Sequence, residues 1–175
     1  MPVSDIQSRI RELKSENDAL IVAHNYQLPE VQDIADLLGD SLALATEASK
    51  LDARVIVFCG VSFMAETAKI LAPDKLVLHP EPLSRCPMAD MVDAESLRAL
   101  KARHPDAVTV SYVNTTAEVK AESDVCCTSG NAVKVVKSLD AGKIIFTPDR
   151  NLGLYVKRFV PDKEIILWPG FCAVH

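Results

Sequence analysis

Two segments put hydrogen-bonding side chains directly after apolar runs that read as strands. His24-Asn25-Tyr26 follows residues 19–23, and Tyr112-Val113-Asn114 follows residues 107–111. Open parallel sheets bind ligands just beyond the carboxyl ends of their strands, so these side chains sit where a pocket forms. A single His or Tyr at a strand end ordinarily just hydrogen-bonds a neighbouring loop. Two matched sites favour a shared ligand. Ser41 and Ser129 form a second pair, each at the expected start of a helix, where free backbone N–H groups and the helix dipole attract carboxylates or phosphate. As plain N-caps they would contribute about 1 kcal/mol and bind nothing.

The chain carries five cysteines. An odd count without an export signal argues against a disulfide framework. Cys59 closes the apolar run 55–58 and reads as a small buried hydrophobe. Cys126 and Cys127 are neighbours whose side chains point to different sides, which suits structure better than a joint metal site. Cys86, in Ser84-Arg85-Cys86-Pro87, and Cys172, in Pro169-Gly170-Phe171-Cys172, follow the last strand of their segments in irregular loops of the kind that hold iron–sulfur ligands. Neither belongs to a C-x-x-C pair, so zinc-ribbon and thioredoxin-like chemistry have no support. Two thiolates leave a cluster incomplete. A third equivalent loop would supply the third ligand and leave one iron open as a Lewis acid.

These candidates recur because the chain repeats. A shift of 88 positions, without gaps, places Val22 on Val110, Asp36 on Asp124, Ser41 on Ser129, Leu51-Asp52-Ala53 on Leu139-Asp140-Ala141, and Pro73-Asp74-Lys75 on Pro161-Asp162-Lys163. Each copy reads as a strand, a helical segment near residues 30–38 in the first copy, a polar turn, a helix, a β-branched strand, another helix ending before Pro73 or Pro161, and a third strand. Amphipathic helices over residues 3–17 and 93–104 precede the two copies. Strands alternating with helices imply parallel pairing through right-handed crossovers. The expected fold is therefore α/β, with pseudo-symmetric three-layer α/β/α sandwich repeats on parallel sheets. The expected boundaries are 1–88 and 89–175, each copy carrying one of the loop cysteines.

Composition excludes several classes. With 175 residues and 49% hydrophobic content the chain can bury a core. A net charge of −5, with basic residues scattered, offers no stripe for nucleic acid or an anionic membrane. No apolar stretch approaches the roughly 20 residues of a membrane span. The polar, acidic start is unlike a secretory signal, so a cytoplasmic protein acting on small metabolites is expected.

Taken together, Ile21-Val22-Ala23-His24-Asn25-Tyr26-Gln27, Gly39-Asp40-Ser41, the stretch from Phe58 to Leu71, Tyr112-Val113-Asn114 and Pro169-Gly170-Phe171-Cys172-Ala173-Val174-His175 resemble the quinolinate synthase family. The resemblance implies three such α/β domains around a central pocket, of which this chain holds two. It implies condensation of iminoaspartate with dihydroxyacetone phosphate to quinolinate, with loss of phosphate and water, in NAD biosynthesis. It also implies a [4Fe-4S] cluster on three cysteines, with Cys86 and Cys172 as the first two. By the same resemblance His24 binds a substrate carboxylate and Tyr26 serves proton transfer. Ser41, Tyr112, Asn114 and Ser129 make further contacts to the organic acid, and His175 completes a C-x-x-H element. Functional coupling to L-aspartate oxidase, which makes iminoaspartate, is implied as well. The third cysteine, a glutamate and histidine of the third domain and a closing C-terminal segment do not follow His175, so a partial chain, inactive alone, is expected. Two other readings stand beside this one, a dicarboxylate-binding α/β module and a different [4Fe-4S] hydro-lyase.

Overall fold

The computed structural model describes residues 2–173, apart from the Leu42 side chain. The chain divides into two compact units, Met1–Arg85 and Cys86–His175.

In the first unit the apolar runs become β1 (Ala19–His24) and β3 (Val55–Cys59), flanked by β2 (Leu37–Gly39) and β4 (Leu76–Leu78). The sheet is parallel throughout, in the order β2-β1-β3-β4. The second unit repeats it with β5 (Val108–Tyr112), β6 (Val125–Cys127), β7 (Lys143–Thr147) and β8 (Glu164–Leu167), in the order β6-β5-β7-β8. In both, the chain reverses its direction of progress across the sheet between the two central strands. That reversal opens a crevice at their carboxyl ends, where His24 and Tyr112 stand.

Continuous apolar central strands require cover on both faces. In the first unit, α3 (Ser41–Lys50) and α4 (Ser62–Leu71) supply Leu44, Ala45, Ala48, Ala65 and Ala68 to a core with Val22, Ile56 and Phe58. Alanines keep these helices close to each other and to the sheet. On the other side α1 (Val3–Glu16) packs along β1 but fully buries none of its residues. In the second unit, α7 (Ala132–Ser138) and α8 (Arg150–Lys157) cover one face, around Val110, Val136, Ile144, Phe146 and Val156. A 3-10 turn at Ala89–Met91, α5 (Ala94–Arg103) and α6 (Ala117–Ala121) cover the other, around Val92, Leu97, Val119 and Ile145. No helix among the described residues is long and apolar enough to cross a membrane.

The sequence pattern predicts three strands per copy, and the structure adds a fourth. The helix expected over residues 30–38 is only α2 (Pro29–Gln32), and residues 37–39 pair with β1 as an edge strand. Asp36 is the cause. Its N–H donates to Ile21 O at 2.7 Å while its Oδ2 accepts the Ile21 N–H at 2.8 Å. Asp124 does the same to Thr109 at 3.1 and 2.7 Å, and so starts β6. The matched lysines are also structural. Lys163 Nζ donates to Leu139 O and Ala141 O, both at 2.8 Å, just past α7, and Lys75 donates to Leu51 O in the same role.

Asp124→Ala removes a charge-assisted bond but lies partly in solvent, so it is expected to cost about 1–2 kcal/mol. A urea midpoint unchanged from that of the parent chain would show that the clamp contributes nothing.

Candidate functional site

In the first unit the site begins with β1 and ends with the turn into α3. Burial of the preceding residues of β1 carries His24 to the strand end, where its side chain is 3% exposed. Its Nδ1 accepts the backbone N–H of Tyr26 at 3.2 Å. That bond fixes the neutral tautomer with the proton on Nε2, leaving a donor for a ligand. The two rings lie 4.0 Å apart, tilted by 44°. Tyr26 itself is 84% exposed, an unusual state for an aromatic ring. Burial lowers the His24 pKa, with the charge of Asp40 pulling the other way.

Asp40 caps α3 by accepting the Ala43 N–H at 3.0 Å. Ser41 is the first helical residue, half-buried beside that cap. The cap therefore falls to the aspartate, and the serine hydroxyl is spared that duty. Nearby, Gly60 O accepts from Ser84 Oγ at 3.0 Å and lies 3.0 Å from His79 Nε2, which anchors the loop leading towards Cys86.

A buried neutral imidazole makes the folded state bind fewer protons than the unfolded chain near the ordinary His pKa of 6.5. Stability from His24 is complete above that value and is lost as pH falls through it towards the lower folded pKa. The urea midpoint is expected to drop between pH 7.5 and 5, and to drop less in His24→Asn. Identical slopes for the two proteins would remove His24 as the cause.

In the second unit Tyr112 ends β5, is 7% exposed and hydrogen-bonds Ser129. Burial raises its pKa most, the Ser129 bond lowers it, and the neighbouring Cys172, Asp149 and Cys127 raise it further, so the phenol stays protonated at neutral pH. Asn114 is half-buried two residues on. The loop between them is held by Val113 N–H to Cys127 O at 2.9 Å and Thr115 Oγ1 to Tyr112 O at 3.1 Å. Ser129 is exposed and does not start a helix. It lies in the turn before α7, where Thr128 O accepts the Ala132 N–H at 2.9 Å and Asn131 Oδ1 accepts the Thr128 N–H at 2.7 Å.

Asp149 is a further polar residue that pattern reading passes over. It is fully buried at the N-cap of α8, accepting the Asn151 N–H at 2.9 Å, and its backbone bridges Gly170. Gly170 O also accepts the Arg150 N–H at 2.9 Å. A Cβ on Gly170 would meet Pro148 O at 2.6 Å, so only glycine lets the loop lie this close. Trp168 Nε1 donates to Met91 O at 2.7 Å, and the Arg150 guanidinium lies 5.1 Å from the Phe171 ring centre. Four ties thus hold the residues that precede Cys172.

Cys86 and Cys172 are free, half-buried thiols on irregular backbone. Cys127, in contrast, is buried and its thiol is pushed up to about 12, which keeps it protonated and inert. Cys59 is also raised by burial. Among the described residues no three His, Cys, Asp or Glu side chains come together to hold a metal ion. His175 lies outside the described residues.

Two tandem units of one four-stranded parallel fold, each with a buried polar ring at the carboxyl end of a central strand, define a repeat-built α/β protein. Residues 8–175 match the family model described as NadA, quinolinate synthetase A protein, and the chain belongs to that family. It is 62% identical over 172 residues to the quinolinate synthase of Sulfurihydrogenibium sp. (strain YO3AOP1), covering 98% of this chain and 56% of that one. It is 58% identical over 173 residues to that of Aquifex aeolicus (strain VF5), covering 99% and 54%. With that of Alkaliphilus metalliredigens (strain QYMF) the identity is 55% over 175 residues, covering 100% and 58%. The chain spans about half the length of these curated relatives.

Proposed function

We propose that this chain is the amino-terminal part of a cytoplasmic quinolinate synthase, with residues 1–88 and 89–175 as two of three repeats. The whole enzyme condenses iminoaspartate with dihydroxyacetone phosphate, releasing phosphate and water, in NAD biosynthesis, with iminoaspartate supplied by L-aspartate oxidase. The observation that carries the reading is the family match across residues 8–175. The half-sites suit the substrates. His24 Nε2–H donates to one carboxylate of the diacid. Tyr112, a protonated donor, and Asn114 offer hydrogen bonds to the other carboxylate or to the imine. Ser41 and Ser129 add hydroxyls at positions matched by the repeat. Tyr26, exposed and seated on the His24 ring, is free to swing onto the substrate and move a proton through its phenol.

The thiol pair fits a [4Fe-4S] cluster as two of its three protein ligands, because both are unbridged, half-buried and on loops without strand partners. When bound, such a cluster offers an open iron that polarises a substrate hydroxyl or carboxylate. The third ligand belongs to a third repeat, and this chain alone is inactive.

The test is anaerobic reconstitution of this chain, and of the chain continued with the remaining residues of the Aquifex aeolicus relative. Iron, quinolinate formation and dihydroxyacetone phosphate consumption are measured. Only the longer protein is expected to hold about four irons and turn over, and Cys86→Ala or Cys172→Ala abolishes both. A longer protein that binds a dicarboxylate but no iron is a binding module. One that holds iron yet dehydrates a hydroxy acid without consuming the phosphate ester is a hydro-lyase.

A further inference from the structure

The two units differ in how one face of each sheet is covered. In the second unit Ile145 is fully buried, and Ile166 and Trp168 are half-buried, beneath Leu97 of α5 and the turn that precedes it. That turn contributes Val92 to the cluster, while Met91 O accepts from Trp168 Nε1 at 2.7 Å and Met91 Sδ lies 3.4 Å from Phe171 N. The turn is the stretch that follows the loop carrying Cys86. Among the described residues the first unit has a counterpart of α5 but no counterpart of the turn. α1 presents Ile10 and Leu13 where α5 presents Leu97 and Leu100, and Lys14 pairs with Asp36 as Lys101 pairs with Asp124. Over β3 and β4, among the described residues, this face of the sheet is left open. Val57 is only half-buried, and Leu76 and Leu78 are 55% and 43% exposed. Together with α1 they line an apolar groove of about 560 Å³. An apolar surface of this kind, continuous with a core, marks a site of further packing.

We propose that this groove receives the polypeptide segment that follows the last-strand loop of a third repeat, seated on β3 and β4 as residues 88–92 seat on β7 and β8. This rests on the three-repeat reading above. Every repeat's loop is then followed by a turn that covers the next sheet, and the last one covers the first. The relatives carry enough chain for it, since this chain accounts for only 54–58% of the three described above. A segment that enters here must be apolar on the side facing Val57, Leu76 and Leu78.

Cys59 lines the groove and reports on its cover, while Cys126 is exposed and serves as the reference. Both thiols are alkylated with N-ethylmaleimide under anaerobic conditions and quantified by peptide mass spectrometry, in this chain and in the version continued with the Aquifex aeolicus residues. The Cys59 to Cys126 labelling ratio is expected to fall at least about tenfold in the longer protein. It is expected to return on Leu78→Asp, an exposed position in this chain, and independently on deletion of only the residues after the third repeat's loop. If the longer protein holds about four irons while Cys59 labels as in the short chain, the groove proposal fails and the functional reading stands. Protection without iron retains the groove and removes the enzyme reading. Protection already present in the short chain overturns the proposal, in favour of a second copy if it grows with concentration and of the chain's own residues if it does not. Protection that survives the deletion overturns it as well.

Discussion

Tyr26→Phe, made in the protein continued to the length of its relatives, is expected to lower kcat by about 10²–10⁴-fold, the range that general acid–base groups supply. The ring stays, so its stacking on His24 at 4.0 Å and the backbone bond from Tyr26 N–H to His24 Nδ1 stay with it. Only the phenolic hydroxyl is lost. With 84% exposure, the side chain also carries little of the fold's stability, and the urea midpoint is expected to hold. KM should change little if the hydroxyl acts in the transition state and not in holding the ground state. Tyr26→Ala, which removes the ring as well, should add a rise in KM. A Phe variant with full kcat would assign Tyr26 to binding alone.

The largest structural effect is expected at the centre of the second sheet. Phe146 lies on β7, is fully buried, and packs with Val110, Ile144, Val156, Val160 and Ile165. It sits between α8 and the sheet, close enough that a Cβ on Gly153 would come within 3.0 Å of its ring. Phe146→Ala deletes the ring and leaves a void that neighbours locked in a sheet fill poorly, costing about 3–5 kcal/mol. Against the usual domain stability of about 5–15 kcal/mol that loss is large. The single tryptophan, Trp168, lies in this unit, so its fluorescence follows the unfolding directly. A Trp168 transition shifted by less than about 0.5 kcal/mol, the scale of a surface change, would mean that the core is not built around Phe146.

The sequence discloses what periodicity and repetition can carry. The central strands are legible because they are continuous β-branched runs, and the helices after them because good helix formers follow polar turns. The edge strands β2 and β6 escape this reading. Three residues such as Leu37-Leu38-Gly39 have no period of their own, and only the long-range clamp from Asp36 to Ile21 defines them. The repeat does mark that aspartate, since Asp36 aligns with Asp124, but nothing local says that its partner is a strand fifteen residues earlier. Ser129 misleads for a related reason. Its counterpart Ser41 opens a helix, whereas Asn131 forms a wider turn and α7 starts at Ala132. Asp149 was invisible because Thr147-Pro148-Asp149-Arg150 reads as an ordinary helix entrance, and burial depends on the returning loop at Gly170. The His24 and Tyr112 positions were readable, being strand ends, but the tautomer and the raised phenol follow from contacts that only folding creates.

Each sheet is bounded by brief strands, three residues in β2, β4 and β6 and four in β8. Unpaired strand edges of that length present too few groups to recruit a neighbour. A gene segment encoding such a unit can be duplicated in tandem without the copies zipping into one continuous sheet, and here the two sheets remain separate, four strands each. Blunt edges thus leave each copy free to diverge in its loops while the parent fold stays intact.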